Sequence, residues 1–191
     1  NGEGRTAPNP PVGALIVNNG EIIGRGYHAV AGGPHAEVNA IRNATGSLSG
    51  STLYVTLEPC NHTGRTGPCT EVVIAAGISR VVVGCVDPNP AVAGSGIERL
   101  LQAGIEVETG LFEKECERLI APFAKHVRTG LPFVTLKMAM TLDGQTATST
   151  GDSKWISSEQ SRRYVHEMRN RSDAVMVGVG TSLADDPLLT T

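Results

Sequence analysis

One histidine and two cysteines, each placed where a strand-like run gives way to a helix-like run, constrain this chain more than any other feature. His35-Ala36-Glu37 follows the break Gly32-Gly33-Pro34, and Pro59-Cys60 precedes Pro68-Cys69 with the cysteines nine positions apart. One imidazole and two thiolates are the ligand set of a catalytic zinc site with its fourth position open, whereas structural zinc closes all four. Each half stands behind a strand and opens a helix, so the pattern is that of strands alternating with helices in an α/β layered domain. Residues two apart on a helix point about 200° away from each other, so His35 and Glu37 both reach a metal only from a first turn. Pro34 suits that placement. Pro68 does the same for Cys69, where a helix N-terminus also favours the thiolate.

Zinc lowers the pKa of a bound water to roughly 7 and so supplies a nucleophile at neutral pH. Glu37 is read as the general acid/base beside it, not as a ligand. His-x-Glu followed by Pro-Cys and a second Cys is the order of residues in the zinc deaminases, although there the cysteines are three apart instead of nine. Either half alone would ordinarily be a solvated pair or incidental cysteines; together they specify a site. Cys85, within a strand-like run, and Cys116, within a helix-like run, read as small buried hydrophobes. His126 and His166 read as solvated, with no ligand partner near them in sequence.

The remaining pattern supports the layered reading. Val12 to Val17 and Glu21 to Tyr27 form a hairpin about Asn18-Asn19-Gly20, followed by a helix over His35 to Ala44 and a strand over Ser51 to Leu57. A helix over Cys69 to Ala76, a strand over Arg80 to Val86, a helix over Gly96 to Ala103, a strand over Ile105 to Thr109 and a long helix over Phe112 to Val127 complete it. Arg128-Thr129-Gly130-Leu131-Pro132 is a joint, dividing a first domain, 1–130, from a second, 131–191. In the second, strands are expected over Phe133 to Met140 and Ala174 to Gly178, with a helix over Ser158 to Asn170. About 60 residues are too few for an independent core there. The chain begins without Met in a polar loop and stops after a strand-loop pattern, so further sequence is expected at both ends.

Sixteen basic and nineteen acidic residues give a net charge of −3, which lacks the basic field of a non-specific nucleic-acid binder. No apolar run reaches the length of a membrane span. Four cysteines in 191 residues are too sparse for a disulfide scaffold, and a reducing cytoplasm is the expected compartment.

Across essentially its whole length the chain resembles the bifunctional riboflavin-biosynthesis deaminase-reductase family. The first domain carries the resemblance in Pro8-Asn9-Pro10-Pro11-Val12-Gly13, His35-Ala36-Glu37, Thr56-Leu57-Glu58-Pro59-Cys60 through Cys69, and Asp87-Pro88-Asn89-Pro90. The second carries it in Lys137 to Gly144, Lys154-Trp155-Ile156-Ser157 and Thr181 to Pro187. The resemblance implies a cytidine-deaminase-like three-layer α/β/α domain followed by an incomplete dihydrofolate-reductase-like domain. It implies deamination at the 2-amino group of 2,5-diamino-6-(5-phosphoribosylamino)pyrimidin-4-one, then NADPH-dependent reduction of the ribosyl group to ribityl. Within it His35, Cys60 and Cys69 match the zinc ligands and Glu37 the proton shuttle. Asn9, His28, His62, Arg65 and Asn89 match contacts to the pyrimidine and its phosphoribosyl tail. His62 and Arg65 have the chemistry to hold a phosphate by charge-assisted hydrogen bonds. Ala139, Trp155, Thr181 and Asp185 match NADPH contacts, and Ser153, Arg169 and Leu189 match contacts to the second substrate. Gly67-Pro68 departs from the family, which often has two prolines there. The rival readings are a nucleobase or tRNA adenosine deaminase of the same fold, disfavoured by the long cysteine spacing and acidic balance, and a structural zinc module, which leaves Glu37 unexplained. Oligomeric state is open on the sequence.

Overall fold

The computed structural model describes residues 2–63 and 67–191, and the chain forms two compact units, Asn1–Phe133 and Val134–Thr191. In the first unit, strands β1 (Gly13–Asn18) and β2 (Glu21–Tyr27) form an antiparallel hairpin. Its turn uses Asn19 at φ 50° and Gly20 at φ 81°, the pair of left-handed residues that a two-residue hairpin loop demands. Strands β3 (Thr52–Leu57), β4 (Arg80–Cys85) and β5 (Glu106–Thr109) complete one sheet in the order β2-β1-β3-β4-β5. β1 and β3 run antiparallel, while β3, β4 and β5 are parallel, so helices must cross between the last three. These are α2 (Cys69–Ala75) and α3 (Ser95–Gln102), with α1 (Ala36–Arg42) joining β2 to β3.

Alternation along the strands decides the layers. Ala14, Ile16, Leu53, Val55, Val81 and Val83 point to one face and are buried against Ala36 and Ala40 of α1, Val73 of α2 and Leu100 of α3. Each fully buried Leu, Ile or Val contributes about 1.5–3 kcal/mol relative to exposure. The opposite face, with Leu15, Tyr54 and Val82, borders a cavity of about 900 Å³ shared with Cys116 and Leu119 of α4 (Glu113–Leu119). The unit is therefore a mixed five-stranded sheet between helices. Cys85 and Cys116 are buried with Leu57 and Ile120, as their reading as hydrophobes expects.

Two expectations change. The long helix over Phe112 to Val127 is broken at Ile120 into α4 and α5 (Ala121–Thr129), because Pro122 lacks the N–H that would continue the ladder and sits in the first turn of a new helix. The second unit contains helices α6 (Glu159–Asn170) and α7 (Val179–Asp185) but, among the described residues, no strand. Phe133 to Met140 and Ala174 to Gly178 have strand composition but no paired edge to accept their hydrogen bonds, and side chains such as Val134, Leu136 and Met176 stay exposed. Helix α7, which sequence reading passed over, follows the N-cap Gly178.

Candidate metal centre and its cavity

Close approach of β2 to α1 fixes the first half of the site. A Cβ on Gly26 would lie 2.2 Å from both the Ala36 carbonyl oxygen and the Ala40 nitrogen, so only glycine lets the helix backbone settle on this strand. Asn39 of α1 and its C-cap Asn43 add hydrogen bonds to the carbonyls of Tyr27 and Arg25. The helix so placed begins one residue later than sequence reading expects. His35 is its N-cap, with extended backbone at ψ 166°, and Glu37 lies in its first turn. That difference lets the imidazole leave the helix axis while the carboxylate stays beside it.

The second half comes from the segment between β3 and α2. Cys69 is the first residue of α2, after the N-cap Pro68. Its backbone N–H donates to Cys60 Sγ at 3.4 Å, and Thr70 N–H donates to the Cys60 carbonyl at 3.2 Å. The Thr70 hydroxyl, fully buried, donates to Asn61 Oδ1 at 2.9 Å. His35 Nδ1 then lies 3.5 Å from Cys60 Sγ and 3.3 Å from Cys69 Sγ, all three atoms within 4.8 Å of one another.

These separations fit a tetrahedral zinc ion. With Zn–S about 2.3 Å and Zn–N about 2.0–2.1 Å, the edges between ligand atoms are about 3.5–3.8 Å. The hydrogen bond from Cys69 pulls the Cys60 thiol down to about 4, while the same contact pushes Cys69 up. The hydrogen bond with Cys60 raises His35 above the usual imidazole range. Glu37 is 3% exposed, and burial lifts its carboxyl to about 7, the range in which a group takes up and returns protons at neutral pH.

A cavity of about 350 Å³ opens on this cage, lined by His35, Glu37 and Cys60 together with Asn9, His28, His62, Glu58 and Asp87. It is smaller than the cavity on the other face of the sheet, yet it holds the titratable cluster. His28 is buried, its ring edge-on to His35 at 5.3 Å between centroids. Asn9 Nδ2 lies 3.3 Å from His28 Nε2, and His28 Nδ1 lies 3.0 Å from the Pro34 carbonyl. An Nδ1–H tautomer satisfies both contacts and ties residue 9 to the entry of α1.

The structure thus brings His35, Glu37, Cys60, Asn9, His28 and His62 to one cavity, with Cys69 beside His35 and Cys60. Arg65 lies outside the described residues. Asn89 does not line the cavity; its N–H donates to Asp87 Oδ1 at 2.8 Å, and its own side chain accepts from Ala91 N–H. Sequence reading missed Asp87 and Glu58 as cavity residues, although a charge directly between an apolar strand and Pro59 is a signal that it could have used.

In the second unit Trp155 is exposed, with the Arg162 guanidinium 4.3 Å from its ring centroid. Arg169 donates to the Thr190 carbonyl at 3.2 Å, next to Leu189 at φ 51°. Thr181 and Asp185 lie on α7. Ser153 is exposed and Ala139 half-buried. Neither cavity includes any of these residues.

Residues 2–85 match the model of the cytidine and deoxycytidylate deaminase zinc-binding region, and residues 132–191 match the RibD C-terminal domain. The chain is 53% identical over 188 residues to riboflavin biosynthesis protein RibD of Aquifex aeolicus, covering 98% of this chain and 53% of that protein. It is 54% identical over 185 residues to RibD of Escherichia coli, covering 97% and 50%. Among solved structures it is similar to a diaminohydroxyphosphoribosylaminopyrimidine deaminase/5-amino-6-(5-phosphoribosylamino)uracil reductase from Thermotoga maritima, with 51% identity and a TM-score of 0.92 over 97% of this chain and 54% of that one. The chain spans about half the length of the curated relatives it matches. Both matched segments occur in order along one chain, and on that evidence the chain belongs to the RibD family.

Proposed function

We propose that the first domain, 1–130, is a zinc-dependent deaminase that removes the 2-amino group of 2,5-diamino-6-(5-phosphoribosylamino)pyrimidin-4-one in riboflavin biosynthesis. The observation that carries this reading is the grouping of His35, Cys60 and Cys69 beside the buried Glu37, with His35, Glu37 and Cys60 lining one cavity.

His35, Cys60 and Cys69 would hold the zinc. When bound, it supplies Lewis acidity that brings the pKa of water to roughly 7. Glu37 takes a proton from the attacking water and returns protons to the ring nitrogen and to the departing amine. Water adds oxygen to the ring carbon, the exocyclic C–N bond breaks, and ammonia leaves as the carbonyl forms. Burial suits Glu37 to this exchange, since a carboxyl titrating near 7 both accepts and donates at neutral pH. Asn9 and His28 form the wall beside the ring, and His62 with Arg65 receives the phosphoribosyl tail. Asn89 belongs to the same proposal through the loop it shares with Asp87.

For the second domain, 131–191, the family supports an NADPH-dependent reduction of the ribosyl group, with Ala139, Trp155, Thr181 and Asp185 toward the nucleotide and Ser153, Arg169 and Leu189 toward the substrate. Among the described residues no helix is long and apolar enough to cross a membrane. The deciding experiment measures ammonia release from the diaminopyrimidine phosphoribosyl compound against cytidine, dCMP and adenosine. Release from the first alone is expected; release from adenosine or cytidine instead would replace the proposed substrate.

A further inference from the structure

Glu58 is 5% exposed, stands between β3 and the metal-binding segment, and lends both carboxylate oxygens to one remote loop. Oε1 accepts from Gly96 N–H at 2.9 Å and Ile97 N–H at 3.3 Å. Oε2 accepts from Gly94 N–H at 3.0 Å and Asp87 N–H at 3.1 Å. All four donors belong to the stretch that leaves β4 and enters α3. That helix has no capping side chain of its own, since its N-cap is Gly94, so Glu58 caps it from another segment. Packing leaves no slack. A Cβ on Gly96 would lie 2.0 Å from the Pro59 carbonyl oxygen and 3.2 Å from Glu58 Oε1.

A second tie runs parallel to the first, from Asn61 Nδ2 to the Ser95 carbonyl at 3.2 Å. The same loop carries Asp87 into the cavity, where its Oδ1 is already engaged by Asn89 N–H. The metal ligands themselves are also tied directly to one another, by the Cys69 N–H to Cys60 Sγ contact and by Thr70 N–H to the Cys60 carbonyl.

We propose that Glu58 is a positioning residue that fixes the stretch from Asp87 to Ile97, and with it the place of Asp87 in the lining of the cavity, and so sets substrate affinity without holding the metal. This deepens the deaminase reading and rests on it for its kinetic part. Glutamine at position 58 keeps the size but presents an NH2 to two N–H donors in either orientation, so two of the four bonds are lost and a donor faces donors.

The test compares E58Q with wild type and with L100A, which opens a cavity at a fully buried residue of α3 away from the loop, in the intact protein. Hydrogen exchange reads the amides of Asp87, Gly94, Gly96 and Ile97. Zinc content, KM and kcat are measured well below each variant's melting temperature. E58Q is expected to speed exchange at those four amides while those of Val81 to Val83 hold, and to raise KM at least about tenfold with zinc retained and kcat within about threefold. L100A is expected to lower the melting temperature and leave KM unchanged. If E58Q does not fold, E58D, which keeps the charge on a stem one methylene shorter, is expected to raise KM by a smaller factor. An unchanged KM in the folded variant, a matching rise in L100A, or unaltered exchange overturns the proposal. If wild type releases no ammonia from the diaminopyrimidine, the deaminase reading falls, and exchange at the four amides still decides whether Glu58 holds the loop.

Discussion

The backbone amide of Cys69, at the first turn of α2, donates to the sulfur of Cys60 at 3.4 Å, although nine positions separate the two residues. That contact makes the eight-residue excursion between them a closed loop whose ends are one structural unit. A backbone donor to a sulfur favours the thiolate, and the start of a helix adds to it, so the pair is arranged for a cation before one arrives.

Metal content follows from this arrangement. The purified protein is expected to hold about one zinc per chain, and C60S and C69S are each expected to lose it, because a hydroxyl does not ionise to replace a thiolate ligand. Elemental analysis after dialysis checks this. Zinc retained in both variants would remove the cysteines from the centre.

Gly26 makes a stability prediction. Alanine there would press a methyl group against the Ala36 carbonyl and the Ala40 amide, both backbone atoms that cannot rotate aside. G26A is expected to cost about 1–3 kcal/mol in urea unfolding and, by lifting α1, to weaken zinc retention as well. Unchanged stability would mean that α1 accommodates the methyl by sliding along β2.

Much of the first unit was legible because its signals are local. Asn19-Gly20 announces the hairpin, the apolar run at 80–85 announces a buried parallel strand, and Pro34 and Pro68 announce helix starts. The grouping of His35, Cys60 and Cys69 was legible because chemistry limits which residue types can make up a metal centre. Glu58 was not assigned, since its four partners lie 29 to 39 positions downstream and are backbone amides, which no residue type reveals. The strands expected at 133–140 and 174–178 failed for a related reason: strand propensity is local, but a strand exists only where a second backbone edge meets it.

Cys85 gives the pH prediction. Burial is the main cause that pushes its thiol from 9.0 up to about 12, with the charge on Cys116 next. At pH 8.5 the folded chain therefore holds almost no Cys85 thiolate, and iodoacetamide is expected to leave it unmodified until denaturant is added. The sign for stability is the same. The contribution of this protonated thiol is fully present below about pH 9, where the unfolded thiol is also protonated, and is lost as the pH climbs toward 12. Mass mapping of alkylation with and without urea checks the first part, and rapid labelling of folded Cys85 at pH 8.5 would contradict it.

Glu37→Gln separates metal binding from proton transfer, because the side chain is buried beside the cage without belonging to the His35, Cys60 and Cys69 set. Glutamine has nearly the same volume, so packing around the first turn of α1 should persist and zinc content should stay at the wild-type level. What it lacks is a titrating oxygen. Deamination requires one proton taken from water and others delivered to ring nitrogen and leaving amine, and the proposed mechanism gives all of these transfers to this one group. Removing positioned acid/base catalysis ordinarily costs about 10² to 10⁴ in rate, and a group serving several transfers belongs at or beyond the upper end. Ammonia release and zinc content are measured together on the same preparation. Near-normal turnover with zinc retained would take Glu37 out of the mechanism, whereas zinc lost along with turnover would make the carboxylate part of the metal's support.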